Sequence, residues 1–276
     1  MTKENDIPFY DSAKQQTAWL DEFLQTWRYR DLIMHLVKRD ITARYKRSVL
    51  GIAWTMLNPL GMMIILTVVF SQLFGSVEGY AAYILSGLIM WNFFAQSTVS
   101  GINSVVWGGD LFRRIYFPRS IFAISAIGTG IVNLLLSIVP FIIVTIVVGK
   151  PPTIYFILII IPMILLAMFT LGLTLIIASI GVRFPDIVEM YNNIILLAWM
   201  YLTPIIYPTD ILPPWLLSLM KFNPLFHLVK LFREPIYYGR TLYPQLVGIC
   251  SIIGIGTLVL GWFIFSRMTD EIAYRS

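Results

Sequence analysis

Six stretches of this sequence have no Asp, Glu, Lys, Arg or His: residues 49–74, 80–107, 120–149, 153–182, 190–207 and 242–266. Charge is scarce overall, at 13% of residues, while 58% are hydrophobic and the mean hydropathy is +0.77. Crossing the apolar core of a bilayer takes about 20 residues at roughly 1.5 Å per residue in a helix, so each stretch is long enough, or nearly so, to cross. The absence of charge inside them works against proton coupling, which needs an ionisable group in the pathway. Sodium held by backbone carbonyls alone is disfavoured less strongly. Cysteine is almost lacking: Cys250 alone, within the last stretch, excludes a disulfide framework or a thiolate metal cluster. The two histidines, His35 and His227, fall on opposite predicted sides of the membrane, so they cannot act together, and no nucleophile–base pair is apparent. No G-x-x-x-x-G-K-[ST] loop occurs. The one Gly-Lys pair, Gly149-Lys150, runs into Pro151. The chain therefore reads as neither an enzyme nor a metal protein, and any ATP it depends on is hydrolysed elsewhere.

What is present is an uneven distribution of Lys and Arg. With six crossings both termini lie on one side, and that side holds 15 of the 20 basic residues, which predicts cytoplasmic N- and C-termini. A net charge of +5 and a pI near 9.3 follow from this bias and require no nucleic-acid partner. The chain divides into a cytoplasmic segment over 1–48, a six-helix membrane body over 49–266 and a cytoplasmic tail over 267–276. Residues 1–48 have no short apolar run with a small-residue cleavage site and are expected to be retained.

Within the first segment, Trp19, Leu20, Phe23, Leu24 and Trp27 recur at helical spacing, with Asp21, Glu22, Gln25 and Arg28 on the other side. This predicts an amphipathic helix in the headgroup layer. A second amphipathic helix continues from Asp31 past Ile41. Around its end, Arg44, Lys46 and Arg47 are placed either to anchor the first crossing or to hold anionic lipid headgroups, at about 1 kcal/mol each.

The loop over 108–119 joins two crossings with Gly108 and Gly109 before it and Pro118 after it. A loop that only turns the chain needs polar residues, yet Leu111, Phe112, Ile115 and Phe117 share this space with Asp110, Arg113, Arg114 and Tyr116, as in a plug seated in another protein. On the opposite side, residues 208–239 are too broken by proline to cross and too apolar for a free loop. Two short helical pieces, 215–222 and 225–232, fit either a re-entrant lid or a stabilising cap, carrying Trp215, Phe222, Phe226, His227 and Phe232.

The crossings do hold uncharged polar residues in order. Asn92, Gln96, Ser100, Asn103 and Trp107 occupy one face of the second, and Ser125, Thr129, Asn133 and Ser137 repeat every four residues along the third. Gly128 and Gly130 favour helix packing for the third. For the second and fifth, interhelical glue and a neutral sugar pathway are both open. In the latter, amides meet hydroxyls and aromatic rings meet sugar faces, with Trp91, Asn92, Phe94, Gln96, Asn192, Trp199 and Tyr201 as the lining.

Three segments carry a family resemblance. "RYKRSVLGIAWTMLNPL" (44–60), "RRIYFPRSIF" (113–122) and "FNPLFHLVKLFREPIYYG" (222–239) resemble, in order, segments of ABC-2 type permeases, and most of all the branch that exports O antigen, capsule or teichoic acid. The resemblance implies the all-α ABC-2 exporter fold of six transmembrane helices, an N-terminal interface helix and external re-entrant helices, in a bacterial inner-membrane homodimer with two copies of a separate ATPase. It implies that ATP and Mg belong to that ATPase and that this chain holds no cofactor. It further implies coupling through Asp110, Leu111, Phe112, Arg113, Arg114 and Tyr116, with a smaller contact at Arg183 and Asp186. A lipid-linked glycan would be drawn in at Arg44, Lys46 and Arg47 and released past the gate over 208–239. An ABC-2 exporter of drugs or lipids fits the same fold. An ion-coupled carrier or a membrane scaffold are the remaining alternatives.

Overall fold

The computed structural model describes residues 18–46, 50–51, 53–75, 77–108 and 118–275. All regular structure among them is helical. Two helices, α1 (Ala18–Arg28) and α2 (Arg30–Tyr45), precede α3 (Ala53–Phe70), α4 (Tyr80–Val106) and α5 (Ser120–Val147). A 3₁₀ segment, Ile154–Ile159, leads into α6 (Ile160–Arg183). Two short helices, α7 (Pro185–Met190) and α8 (Leu196–Tyr201), are joined by a π-helical turn, Tyr191–Ile195; then come α9 (Pro214–Met220), α10 (Pro224–Ile236) and α11 (Pro244–Arg275).

Four segments among the described residues are long and apolar enough to cross a membrane: Ala53–Phe70, Ser120–Val147, Ile154–Arg183 and Pro244–Met268. Helix α4 is less apolar but also uncharged. At 27 residues it is about 40 Å long, and it is enclosed along much of its length, with Ile84, Leu85 and Phe94 fully buried. The fifth uncharged stretch is different. Helix α7, the π turn and α8 have six, five and six residues, about 25 Å end to end. The chain then leaves the helix at Leu202, where a bend precedes Pro208.

Lipid offers apolar side chains no reason to leave it, so helices associate there through close packing of small residues. Helices α6 and α11 show this. A Cβ on Gly172 would overlap the backbone of Thr257, one on Gly261 the carbonyl of Gly172, and one on Gly254 the carbonyl of Leu165. Gly101 plays the same part between α4 and Thr174 of α6, and Gly130 between α5 and the Phe93 and Ser97 side chains of α4.

The N-terminal helices lie at the end of the bundle where α5 begins. Leu36 of α2 is buried beside Phe122, and Gly128 leaves room for Val37. Helix α1 is mounted the opposite way round from a helix on a soluble protein. Its polar Glu22 and Thr26 are buried, whereas Leu24 and Trp27 are 58% and 65% exposed. Ser120 Oγ donates to Glu22 Oε1 at 2.6 Å and lies 2.9 Å from Thr26 Oγ1. Glu22, grouped by sequence with the water-facing residues, instead pins α1 to the start of α5. The outward apolar face suits a headgroup layer.

Candidate functional site

The residues read from the sequence fall in three places. The loop with Asp110, Leu111, Phe112, Arg113, Arg114 and Tyr116 lies outside the described residues, as do Arg47 and the Arg44 side chain. Lys46 is exposed just beyond α2. Arg183, in the last turn of α6, and Asp186, in the first turn of α7, are both exposed and flank the Phe184-Pro185 break. Gly181 seats that corner on Val106 at the end of α4.

Midway along the bundle, α3, α4 and α5 enclose a groove of about 290 Å³. Its polar lining comes from Asn58, Asn92, Gln96, Asn133 and Ser137, with Trp54 at the rim. Asn92 is half-buried and Gln96 is exposed, as is Ser100 one turn further on. Trp91 and Phe94 lie behind this face in the interior, where their rings pack 5.6 Å apart. The spacing along the third crossing suggested packing for Asn133, and its neighbours do bond within their own helix: Thr129 Oγ1 to Ser125 O at 3.0 Å and Ser137 Oγ to Asn133 O at 2.9 Å. Asn133 itself differs, because its buried Oδ1 has no hydrogen-bond partner and it lines the groove. A buried amide acceptor without a partner costs about 1–3 kcal/mol, and it is a waiting site for a hydroxyl or amide donor.

The π turn supplies a second amide of this kind. Tyr191 is fully enclosed and donates to Thr98 Oγ1 at 3.0 Å, which ties the turn to α4, while Asn192 Oδ1 is buried without a partner. A widened turn in an otherwise α-helical run commonly marks a functional position. Tyr201 is exposed at the end of α8. Trp199 is held edge-on against Phe94 at 5.4 Å, and its Nε1 donates to Asn223 Oδ1 at 2.8 Å.

Asn223 opens the third place, at the far end from α1. It caps α10, accepting from the backbone N of Leu225 at 3.0 Å, and its Nδ2 donates to Leu202 O at 3.1 Å and Thr203 Oγ1 at 2.9 Å. One side chain therefore joins the start of α10 to the end of α8. A second clamp sits nearly three turns on. The Arg233 guanidinium is buried, with Nη1 donating to Tyr83 Oη at 2.8 Å and Pro204 O at 2.7 Å, Nη2 to Ile205 O at 2.7 Å and Nε to Ser86 Oγ at 3.2 Å. It also stacks over the Tyr83 ring at 3.7 Å. This contact requires Gly87, where a Cβ would lie 2.6 Å from Nη2 and 2.9 Å from Ile205 O. Beyond α10, Gly239 adopts φ 61° and turns the chain so that Arg240 N donates to Glu234 O at 2.9 Å. Phe226 and Phe232 are buried under α10, Trp215 and Phe222 are exposed on and after α9, and His227 Nε2 lies 2.8 Å from Lys221 O. Neither Asn223 nor Arg233 was singled out from sequence. The Asn-Pro pair before an apolar run was the available signal for the cap.

A cavity of about 720 Å³ opens beside this clamp, lined by Lys221, Lys230, Arg233, Glu234 and Arg240 among others. Burial pushes the Glu234 carboxyl above the ordinary carboxylate range, opposed by the nearby charges of Lys230 and Arg240. No group of three or more His, Cys, Asp or Glu able to hold a metal occurs among the described residues.

Comparison with known proteins places these features in a family context. A family described as ABC-2 type transporter matches residues 31–237. The chain is 29% identical over 252 residues to the O-antigen export system permease protein RfbA of Myxococcus xanthus, covering 90% of this chain and 96% of that protein. It is 26% identical over 246 residues to RfbA of Klebsiella pneumoniae, covering 88% and 94%. It is also 23% identical over 243 residues to the polysialic acid transport protein KpsM of Escherichia coli, covering 86% and 92%.

Proposed function

The chain belongs to the ABC-2 type transporter family, and from that premise we propose that it is the membrane permease of an ATP-driven exporter that carries a lipid-linked polysaccharide out across the bacterial inner membrane. Two copies of the chain form the passage, and two copies of a separate ATPase supply the work. The similarity to O-antigen and capsule permeases over most of their length favours a glycan of that kind, with teichoic acid as a further cargo of the same chemistry. Each chain crosses six times, α7–α8 making the short fifth crossing, with both termini in the cytoplasm.

The observation that carries this reading is the uncovered amide face of α4. A row of Asn92, Gln96 and Ser100 facing hydrocarbon would leave several polar groups unsatisfied, so it lies against a second protomer or a wet passage. No charge breaks that row, and a neutral row suits sugar hydroxyls. Asn133 and Asn192, with their open acceptors, extend it on neighbouring elements. Trp91, Phe94 and Trp199 form its rigid backing, and Tyr201 lies toward the exit.

At the cytoplasmic end Arg44, Lys46 and Arg47 receive the anionic head of the carrier lipid. The 108–119 loop plugs into the ATPase, with Arg183 and Asp186 as a second contact. At the other end α9 and α10, with Trp215, Phe222, Phe226, His227 and Phe232, cover the exit. Co-expression with its ATPase in a strain deleted for the permease tests the proposal: surface polymer returns only when both chains are present. Failure to restore any surface glycan refutes it.

A further inference from the structure

Positively charged residues on the translocated side of a membrane protein run against the topological bias that keeps them inside, so a concentration of them there calls for a use. On the reading above, five Lys and Arg lie outside, and four of them line one cavity beside α10: Lys221, Lys230, Arg233 and Arg240. The only carboxylate among its lining residues is Glu234. The ion pairs among the described residues are Arg39–Asp40 and Lys150–Glu78, and neither involves these four. The neighbouring cavity, about 620 Å³, takes the Lys150–Glu78 pair together with Asp210 and shares Arg240 with this one. The cavity beside α10 is left with an uncompensated positive charge.

The four cations differ in availability. Arg233 has its donors committed to Tyr83, Ser86 and two carbonyls, so it contributes charge to the cavity floor but no free hydrogen bond. Lys221, Lys230 and Arg240 are exposed at its walls and keep their donors. Arg240 lies 5.6 Å over the Tyr238 ring, which fixes its direction. Glu234 adds an acceptor: it is 4% exposed, it lines the cavity, and its Oε2 has no hydrogen-bond partner. Tyr238 and Tyr243 contribute half-exposed rings and hydroxyls. Exposed cations, one buried acceptor for a hydroxyl, and aromatic faces are together the recognition chemistry of a sugar that bears an acid group.

We propose that this cavity is a subsite on the exit side for an acidic sugar unit, one carrying a carboxylate or phosphate, of the emerging polymer. Lys230 and Arg240 hold the anion, Glu234 accepts a sugar hydroxyl, and the ring flanks Tyr238 or Tyr243. The inference rests on the glycan-export reading and narrows it to an anionic glycan.

The test uses the full chain assembled with its ATPase in phosphatidylcholine nanodiscs, titrated with trigalacturonate and with uncharged maltotriose and read by thermophoresis. Trigalacturonate binds saturably, more weakly as salt rises, and about tenfold more weakly in K230Q/R240Q, which loses two charged donors; maltotriose does not bind. Equal binding of the two sugars, no saturable trigalacturonate binding, or binding unchanged in K230Q/R240Q overturns the inference. So does displacement of trigalacturonate by phosphatidylglycerol in the disc, which would identify the cavity as a lipid headgroup site. If the wild-type pair restores surface glycan but does not bind trigalacturonate, this inference alone fails. If it restores none, the exporter reading fails first.

Discussion

Replacing Arg233 with methionine keeps most of the side-chain volume and removes the charge and every donor. For a buried ion pair, an apolar replacement is often neutral, because two desolvation costs disappear together. Arg233 is not in such a pair. Its strongest partners are the carbonyls of Pro204 and Ile205, each at 2.7 Å, and these stay buried after the substitution. Each orphaned carbonyl costs about 1–3 kcal/mol, so R233M is destabilised by about 2–6 kcal/mol, less what is regained by no longer burying a charge. At about 2–4 °C per kcal/mol for a chain of this size, the midpoint falls by on the order of 10 °C. R233K, with a cation but no planar fork, falls in between. The protein carries its own reporter: Cys250 is its single cysteine and is fully buried, so a thiol-reactive fluorogenic dye reads unfolding in detergent. A midpoint for R233M equal to the wild type would refute the clamp.

Asn223→Ala loses a helix cap worth about 1 kcal/mol and frees Trp199 Nε1, and the same dye assay should show a smaller drop than R233M. Gly172→Val forces side-chain atoms into the Thr257 backbone, so α6 and α11 separate; the full-length protein inserts but is degraded, seen as low steady-state amount on immunoblots. Ser120→Ala leaves Glu22 buried without its 2.6 Å donor, and α1 should become accessible to limited proteolysis while the membrane body stays intact. Asn92→Ala with Gln96→Ala should reduce surface polymer severalfold at normal protein amount.

Much of this architecture was legible from spacing alone. Uncharged runs located the long helices, and a period of four placed Asn92, Gln96 and Ser100 on one side of α4, the side left uncovered in the protomer. Composition concealed which polar residues face inward. Glu22 follows the pattern of a water-facing residue, yet the hydroxyl of Ser120, 98 residues away, meets its carboxylate in the interior. Arg233 resembles any basic residue in an external loop until Gly87, Pro204 and Ile205 close around it. The π turn at Tyr191–Ile195 left no period to detect, because it is a single widened turn fixed by the tertiary contact of Tyr191 with Thr98. Trp199, read as lining, owes its fixed position to Asn223, a residue that the segment over 222–239 contains but whose partner 24 residues upstream no spacing reveals.

We propose that an uncharged, amide-lined passage moves glycan with work borrowed from another polypeptide. Proteoliposomes containing the chain and its ATPase, loaded with lipid-linked glycan and ATP, measure it directly. Transport should proceed with the intact ATPase and stop with a hydrolysis-deficient one. Uphill movement of glycan by this chain alone, or driven by an ion gradient, would contradict the account.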